Sequence, residues 1–258
     1  MFNFYKKNPL VKTTLTICII ALISIGGFII FNQPHNTVAD DPASEQNEGD
    51  FRNPTQNPKI TKSTPHPMAI TSLRQQSYPG GNFTIEQTLS NGTNYQQHIA
   101  SYQSEGLKIY GLLTIPTTPK PEGGYPAILF IHGYIPPEQY STINNYPTYQ
   151  ATLARSGMVT FKPDLRGHGN SEGAPVSAHY SEKYTIDTLN ALAYLKNNQD
   201  VNPNRIGYWG HSNGGEIGLR TILITKDIKA ASFWAGVVGS YQDMFETHID
   251  NIPFLEKK

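Results

Sequence analysis

Six residues, "GHSNGG" from Gly210 to Gly215, carry the spacing G-x-S-x-G. A serine hydroxyl is a weak nucleophile unless a base takes its proton and a third group orients that base. The pattern matters where a strand turns sharply into a helix. The serine then sits on a strained corner with its hydroxyl exposed at the carboxyl edge of a sheet, and the glycines keep bulk out of the crowded turn. "RIGYWG", Arg205 to Gly210, reads as the strand and Asn213 to Thr225 as the helix, so Ser212 is the expected nucleophile. The start of that helix would aim N–H groups and its positive dipole end at a developing oxyanion. "GHSNGG" is not G-x-G-x-x-G and no G-K-[ST] follows it, so neither a dinucleotide nor a phosphate loop is read here, and no cofactor is expected.

Two further stretches bear on the same chemistry. His132-Gly133-Tyr134 closes the apolar run "PAILFI". An oxyanion hole of this kind takes one N–H from the residue after the nucleophile and one from the loop after such a strand. Asn213 and Tyr134 are therefore the expected backbone donors, and His132 is expected to pack the loop and bond backbone. "DLRGHGNSEG", Asp164 to Gly173, reads as a tight loop that Asp164 and Arg166 could tie down. Asp164 and His168 lack a third ligand at diagnostic spacing, so no metal is expected. Trp209, Phe233 and Trp234 fall in strand runs and read as core.

The elements that must position these residues follow from periodicity. Phe83–Leu89, Tyr95–Tyr102 and Leu107–Ile115 are β-branched or aromatic runs separated by "SNGT" and "SEG", and Asn91-Gly92 is a hairpin signal. Strands are expected over Pro126–Gly133, Met158–Asp164, Arg205–Gly210 and Lys229–Gly236, and helices over Pro147–Ser156, Tyr184–Lys196 and Asn213–Thr225. Ile186, Leu189, Leu192, Ala193 and Leu195 form a helical stripe. Antiparallel strands followed by strand–helix units imply an α/β fold. Its mixed sheet is antiparallel first and parallel later, with helices on both faces.

"FIHGY", "KPDLRGHGNSEG", "RIGYWGHSNGG" and "IKAASFWAG", in this order, resemble an α/β-hydrolase. The likeness is to the prolyl oligopeptidase catalytic-domain family and its dienelactone-hydrolase-like relatives, over roughly Leu107 to Gly239. It implies a serine hydrolase working through an acyl-enzyme on a peptide or ester, with Ser212 attacking and Asn213 and Tyr134 holding the oxyanion. Peptidases of this family usually carry a propeller before the hydrolase domain. Here a linker and a short β-rich lead-in precede it.

The flanks carry separate expectations. Lys6, Lys7 and Lys12 precede Thr13–Phe31, which holds no charge over 19 residues, and the next charge is Asp40. At a rise of about 1.5 Å per residue this run spans a bilayer. The lysines place the N-terminus inside and the remainder outside. The expectation is a single-pass anchor over 1–31, meeting the lipid bilayer through 13–31, with an extracytoplasmic domain. The rival is a cleaved signal peptide ending near Thr37-Val38-Ala39 and a secreted product, but the apolar run exceeds the usual core of about 7–15 residues. Residues 32–67 are rich in proline and small polar residues and read as a linker, leaving 68–258 as a partial hydrolase domain. Twenty basic residues balance twenty acidic ones, so no nucleic-acid partner is read, and the one cysteine, Cys18, permits no internal disulfide.

The fold's triad continues Ser, then Asp or Glu, then His, each after a later strand. After Ser212 the chain offers one helix, one strand and "YQDMFETHIDNIPFLEKK". His248 is the one histidine in that tail, with Asp243 and Asp250, and none follows a further strand. The expectation is a domain cut short after the strand that follows the nucleophile helix. The alternative is a non-catalytic, membrane-tethered domain of the same fold.

Overall fold

The computed structural model describes residues 65–240. The expected span 13–31, most of the linker 32–67, and His248 with its neighbouring acids lie outside them. Among the described residues no helix is long and apolar enough to cross a membrane.

Seven strands form one sheet: β1 (Thr84–Thr88), β2 (Tyr95–Ser104), β3 (Leu107–Pro116), β4 (Tyr125–Ile131), β5 (Val159–Pro163), β6 (Val201–His211) and β7 (Ile228–Trp234). Their spatial order is β1-β2-β3-β5-β4-β6-β7. β1, β2, β3 and β5 pair antiparallel, and β5, β4, β6 and β7 pair parallel. This is the mixed sheet expected from the sequence.

The hairpins follow their turn residues. Glu105 and Gly106 link β2 to β3 with φ of 49° and 80°. Two successive left-handed residues make the turn whose twist matches a hairpin. The β1–β2 connection differs from expectation. Gly92 bridges to Tyr95, but the left-handed residue is Asn94, at φ 57°, not Gly92. Asparagine tolerates that region because its short polar side chain bonds locally.

Among the described residues there are four α-helices: α2 (Pro147–Arg155), α3 (Lys183–Asn197) and α4 (Asn213–Ile224) pack on the sheet, and the short α1 (Ile70–Arg74) packs on α4. Successive side chains of a strand point to opposite faces. On β4, Leu129 and Ile131 join a core with Tyr102, Phe161, Leu192, Leu195 and Ile217, which lies under α3 and α4. Phe130 points the other way, to Tyr146 at the start of α2 and to Trp209, with which it stacks at 4.1 Å. Helices therefore cover both faces. Burying a large apolar side chain of this kind contributes about 1.5–3 kcal/mol.

β7 departs from the core reading. It is the edge strand of the described sheet, and its outward residues are exposed. Trp209 and Phe233 pack inward, but Trp234, the last residue of β7, is 53% exposed, because no described strand covers that edge. β6 also begins earlier than expected, at Val201. Its outer end carries Pro203, opposite a register irregularity in β4 between Tyr125 and Ala127. An irregular ladder is where a strand accepts a proline.

Candidate active site

The parallel strands all end on one edge, so their following loops converge there. β6 ends at His211 and α4 begins at Asn213, leaving Ser212 alone at the corner. Ser212 has φ 51° and ψ −116°, outside the regions a residue with a Cβ normally occupies. Its N–H donates to the Trp234 carbonyl (3.0 Å), and its carbonyl accepts from Gly215 (2.8 Å) and Val237 (3.2 Å). Its side chain makes no capping hydrogen bond to the helix it precedes. The hydroxyl is thus held at the helix start without being consumed there.

The surrounding glycines set the distance between strand and helix. A Cβ on Gly210 would collide with the Gly214 carbonyl, and one on Gly214 with the Ile131 carbonyl. A Cβ on Gly215 would meet Gly236, and one on Gly218 the Tyr208 ring. Tyr208 also donates its hydroxyl to the Gly214 carbonyl (2.6 Å), tying the first turn of α4 to β6.

Tyr134 and Asn213 line one cavity of about 330 Å3. Its walls include Leu165, Val176, Ala178, Tyr184 and Ile217, together with His132 and His168. The structure therefore brings both sequence-expected backbone donors to one concave, mainly apolar space beside the elbow.

His132 behaves as the sequence reading expects. It is 3% exposed, and its ring nitrogens lie 2.7 Å from the Gly133 carbonyl and 3.1 Å from the Asp164 carbonyl. Burial, helped by the nearby Lys162 ammonium, pushes its pKa down to about 3. A neutral ring has one N–H, so it donates to one of the two carbonyls at a time.

Beneath the loop after β4 lies a polar cluster. The Asp164 carboxylate accepts hydrogen bonds from Tyr140 Oη (2.8 Å) and Thr142 Oγ1 (2.6 Å). Lys162, fully buried, donates to Tyr140 Oη (2.9 Å) and to the Thr142 carbonyl (3.0 Å). Burial lowers the Lys162 pKa to about 8 and raises that of Asp164, each partly offset by the charge of the other. Asp164 is thus engaged by hydroxyls. Among the described residues no group of three or more His, Cys, Asp or Glu side chains could hold a metal ion.

Arg166 ties the next loop. Its backbone N–H, Nε and Nη2 all donate to the buried Asp187 carboxylate of α3 (3.0, 3.0 and 2.6 Å), and Nη2 also pairs with Glu105 (2.8 Å). Farther along, Arg220 of α4 donates to the carbonyls of Ala178, His179 and Ser181, holding the cavity wall. Among the described residues no imidazole hydrogen-bonds the Ser212 hydroxyl. His132 and His168 face carbonyls, and His211 pairs with Tyr146.

Sequence reasoning did not single out Tyr146, Lys162, Arg220 or Ile217. Ile217 was accessible in principle, since it lies in the first turns of the helix that starts at the nucleophile. Lys162 gave no signal, because a lysine in a strand ordinarily reads as solvent-facing.

Comparison with known proteins agrees with this fold. The family model described as serine aminopeptidase, S33, matches residues 125–249. The chain is similar to the uncharacterized peptidase YtmA of Bacillus subtilis (strain 168), 33% identical over 138 residues, which are 53% of this chain and 49% of that protein. It is also similar to thiohydrolase aneE of Aspergillus aculeatus, 26% identical over 48% of this chain and 36% of that one. The chain thus spans about half or less of the length of these relatives. Among solved structures, acetyl xylan esterase 1 from Thermoanaerobacterium sp. JW/SL YS485 superposes with a TM-score of 0.52 at 14% identity, over 73% of this chain and 67% of that one. With its mixed sheet order and its serine at the strand-to-helix corner, the chain has the α/β-hydrolase fold and is similar to members of that superfamily.

Proposed function

We propose that the protein is a serine hydrolase that cleaves a peptide or ester bond through an acyl-enzyme. The observation that carries this reading is Ser212, held at a disfavoured φ and ψ between β6 and α4, beside a cavity lined by Asn213 and Tyr134. Ser212 Oγ attacks the acyl carbon as a base takes its proton. The N–H groups of Asn213 and Tyr134 receive the oxyanion, where losing one donor typically costs about 10²–10³ in rate. Collapse expels the amine or alcohol, protonated by the same base, and water then repeats the sequence on the acyl-enzyme. The reading requires a general base and an orienting carboxylate, and it places both outside residues 65–240. A resemblance to the prolyl oligopeptidase type and the likeness to peptidase and thiohydrolase relatives both support acyl chemistry of this class.

A fluorophosphonate probe on the full-length protein tests the reading. Label on Ser212, lost in Ser212→Ala, is the expected result, and an unlabelled Ser212 overturns it. Comparing aminoacyl anilides with p-nitrophenyl acyl esters then separates peptidase from esterase. We also propose that residues 13–31 anchor the protein in a membrane with the hydrolase domain outside, on the strength of the uncharged run and its preceding lysines. Recovery of the intact protein in the carbonate-washed membrane fraction is expected, and recovery in the soluble fraction overturns the anchor.

A further inference from the structure

Tyr146 has a backbone that its sequence does not favour. It sits at φ 60° and ψ 29°, immediately before Pro147 at the first position of α2. A side chain with a Cβ avoids the left-handed region, and a residue before proline favours extended backbone. Surrounding structure must hold it there.

What holds it lies at the elbow. The ring packs against Phe130, Tyr149, Trp209 and His211, with centroids 5.5–6.0 Å away. The hydroxyl accepts from the Gly133 N–H (3.1 Å) and lies 2.7 Å from His211 Nδ1. The Gly133 N–H can only donate. The hydroxyl's own proton is then free for His211 Nδ1, and we assign it there, which puts the ring's N–H on Nε2. Burial raises the Tyr146 pKa, so the hydroxyl keeps the proton it must donate.

The two residues bridged are chain neighbours of the proposed machinery. Gly133 precedes Tyr134, and His211 precedes Ser212. The turn and the elbow are already in close approach, since a Cβ on Gly133 would lie 2.8 Å from His211 Nδ1 and 3.1 Å from Ser212 Cβ. The bridge also occupies the Gly133 N–H, which leaves Tyr134 as the donor this turn offers to the cavity.

We propose that Tyr146 is a positioning residue. Its hydroxyl fixes the spacing between Ser212 and the Tyr134 N–H by joining Gly133 to His211. The rate consequence rests on the serine-hydrolase reading, whereas the bridge itself does not. Small misplacements of reacting groups cost up to about 100-fold in rate. In the full-length protein, Tyr146→Phe keeps the ring and removes the bridge. The fluorophosphonate inactivation rate constant should fall about tenfold while the probe's apparent binding constant stays unchanged. An unchanged rate constant overturns the proposal. An unlabelled wild type sinks the hydrolase reading instead, and ¹⁵N NMR of the His211 ring then decides the bridge. An Nε2-protonated ring in wild type that changes in Tyr146→Phe supports it. An Nδ1-protonated ring in wild type overturns the assigned direction of the bond, and identical ring signals in the two proteins overturn the bridge. The wild-type measurement stands even if the variant folds poorly.

Discussion

Two loops leave the carboxyl edge of the sheet side by side and are fastened in opposite ways. The loop after β4, residues 132–146, is held mainly by hydroxyls: Tyr140 and Thr142 donate to Asp164, Tyr146 accepts from Gly133, His132 stays neutral, and Lys162, the one cation that donates to the loop, is offset by the nearby Asp164. The loop after β5, residues 164–182, is held by guanidinium groups. Arg166 ties its start to Asp187 and Glu105, and Arg220 ties its end through three carbonyls. In the proposed hydrolase the first loop carries the Tyr134 N–H and must be placed to a fraction of an ångström against the elbow. Short hydroxyl contacts do that without adding net charge beside a developing oxyanion. The second builds a cavity wall, and long charged side chains suit it because they reach across elements: Arg166 to α3 and the β2–β3 turn, Arg220 from α4.

The sharpest way to break this contrast is Asp187→Ala. It strips Arg166 of three hydrogen bonds and leaves a largely buried cation without its main partner. Breaking such a pair costs about 3–5 kcal/mol. Chemical denaturation should show a loss of that size, and a loss under about 1 kcal/mol would mean the loop is fastened otherwise.

A middle-sized effect belongs to the neutral loop. His132 has its pKa pushed from the usual 6.5 to about 3. Between those values the unfolded chain takes up a proton that the folded protein refuses, so His132 withdraws stability as pH falls. The raised pKa of Asp164 acts in the opposite direction, so the wild-type profile alone mixes the two. Measured against His132→Asn, the wild type should lose up to about 1.4 kcal/mol of relative stability per pH unit below 6.5. Parallel profiles for the two proteins would show that His132 can be protonated in place.

The smallest effect tests the outer part of the charged fastening. Glu105 pairs with Arg166 and Lys183, each at 2.8 Å, but Glu105 and Lys183 are about one-third exposed. Glu105→Gln should cost about 0–1 kcal/mol, less in high salt. A larger loss that salt does not reduce would move Glu105 into the same category as Asp187.

The parts of this arrangement that could be read in the sequence are those governed by local rules. Alternation, apolar runs and glycine placement gave the strands, the helices α2 to α4 and the corner at Ser212. The five-residue helix α1 has too little periodicity to declare itself. The loop fastenings depend on partners 21 to 61 residues away for Arg166 and 13 to 65 away for Tyr146. Arg166 was recognisable as a residue able to tie its loop, but nothing local names Asp187 as the acceptor. Tyr146 looked like an ordinary aromatic before a proline, because its left-handed backbone is imposed by contacts that only the folded sheet creates. Lys162 is the extreme instance, a cation whose burial follows from β5 being covered on both sides.

If the protein is the hydrolase proposed above, the four glycines of the elbow bear on how it could change its substrate. Gly210, Gly214, Gly215 and Gly218 each face backbone or ring atoms that leave no room for a methyl group. A side chain at Gly210, Gly214 or Gly218 would push α4 and the strands apart, and one at Gly215 would push against the loop at Gly236. The pivot of the site is therefore closed to gradual variation, and new preferences must be searched elsewhere. Tyr134, Val176, Ala178 and Ile217 line the cavity without setting the height of the helix. Divergence within this architecture has a fixed hinge and a variable rim, and a lineage or a mutant library would explore the rim first.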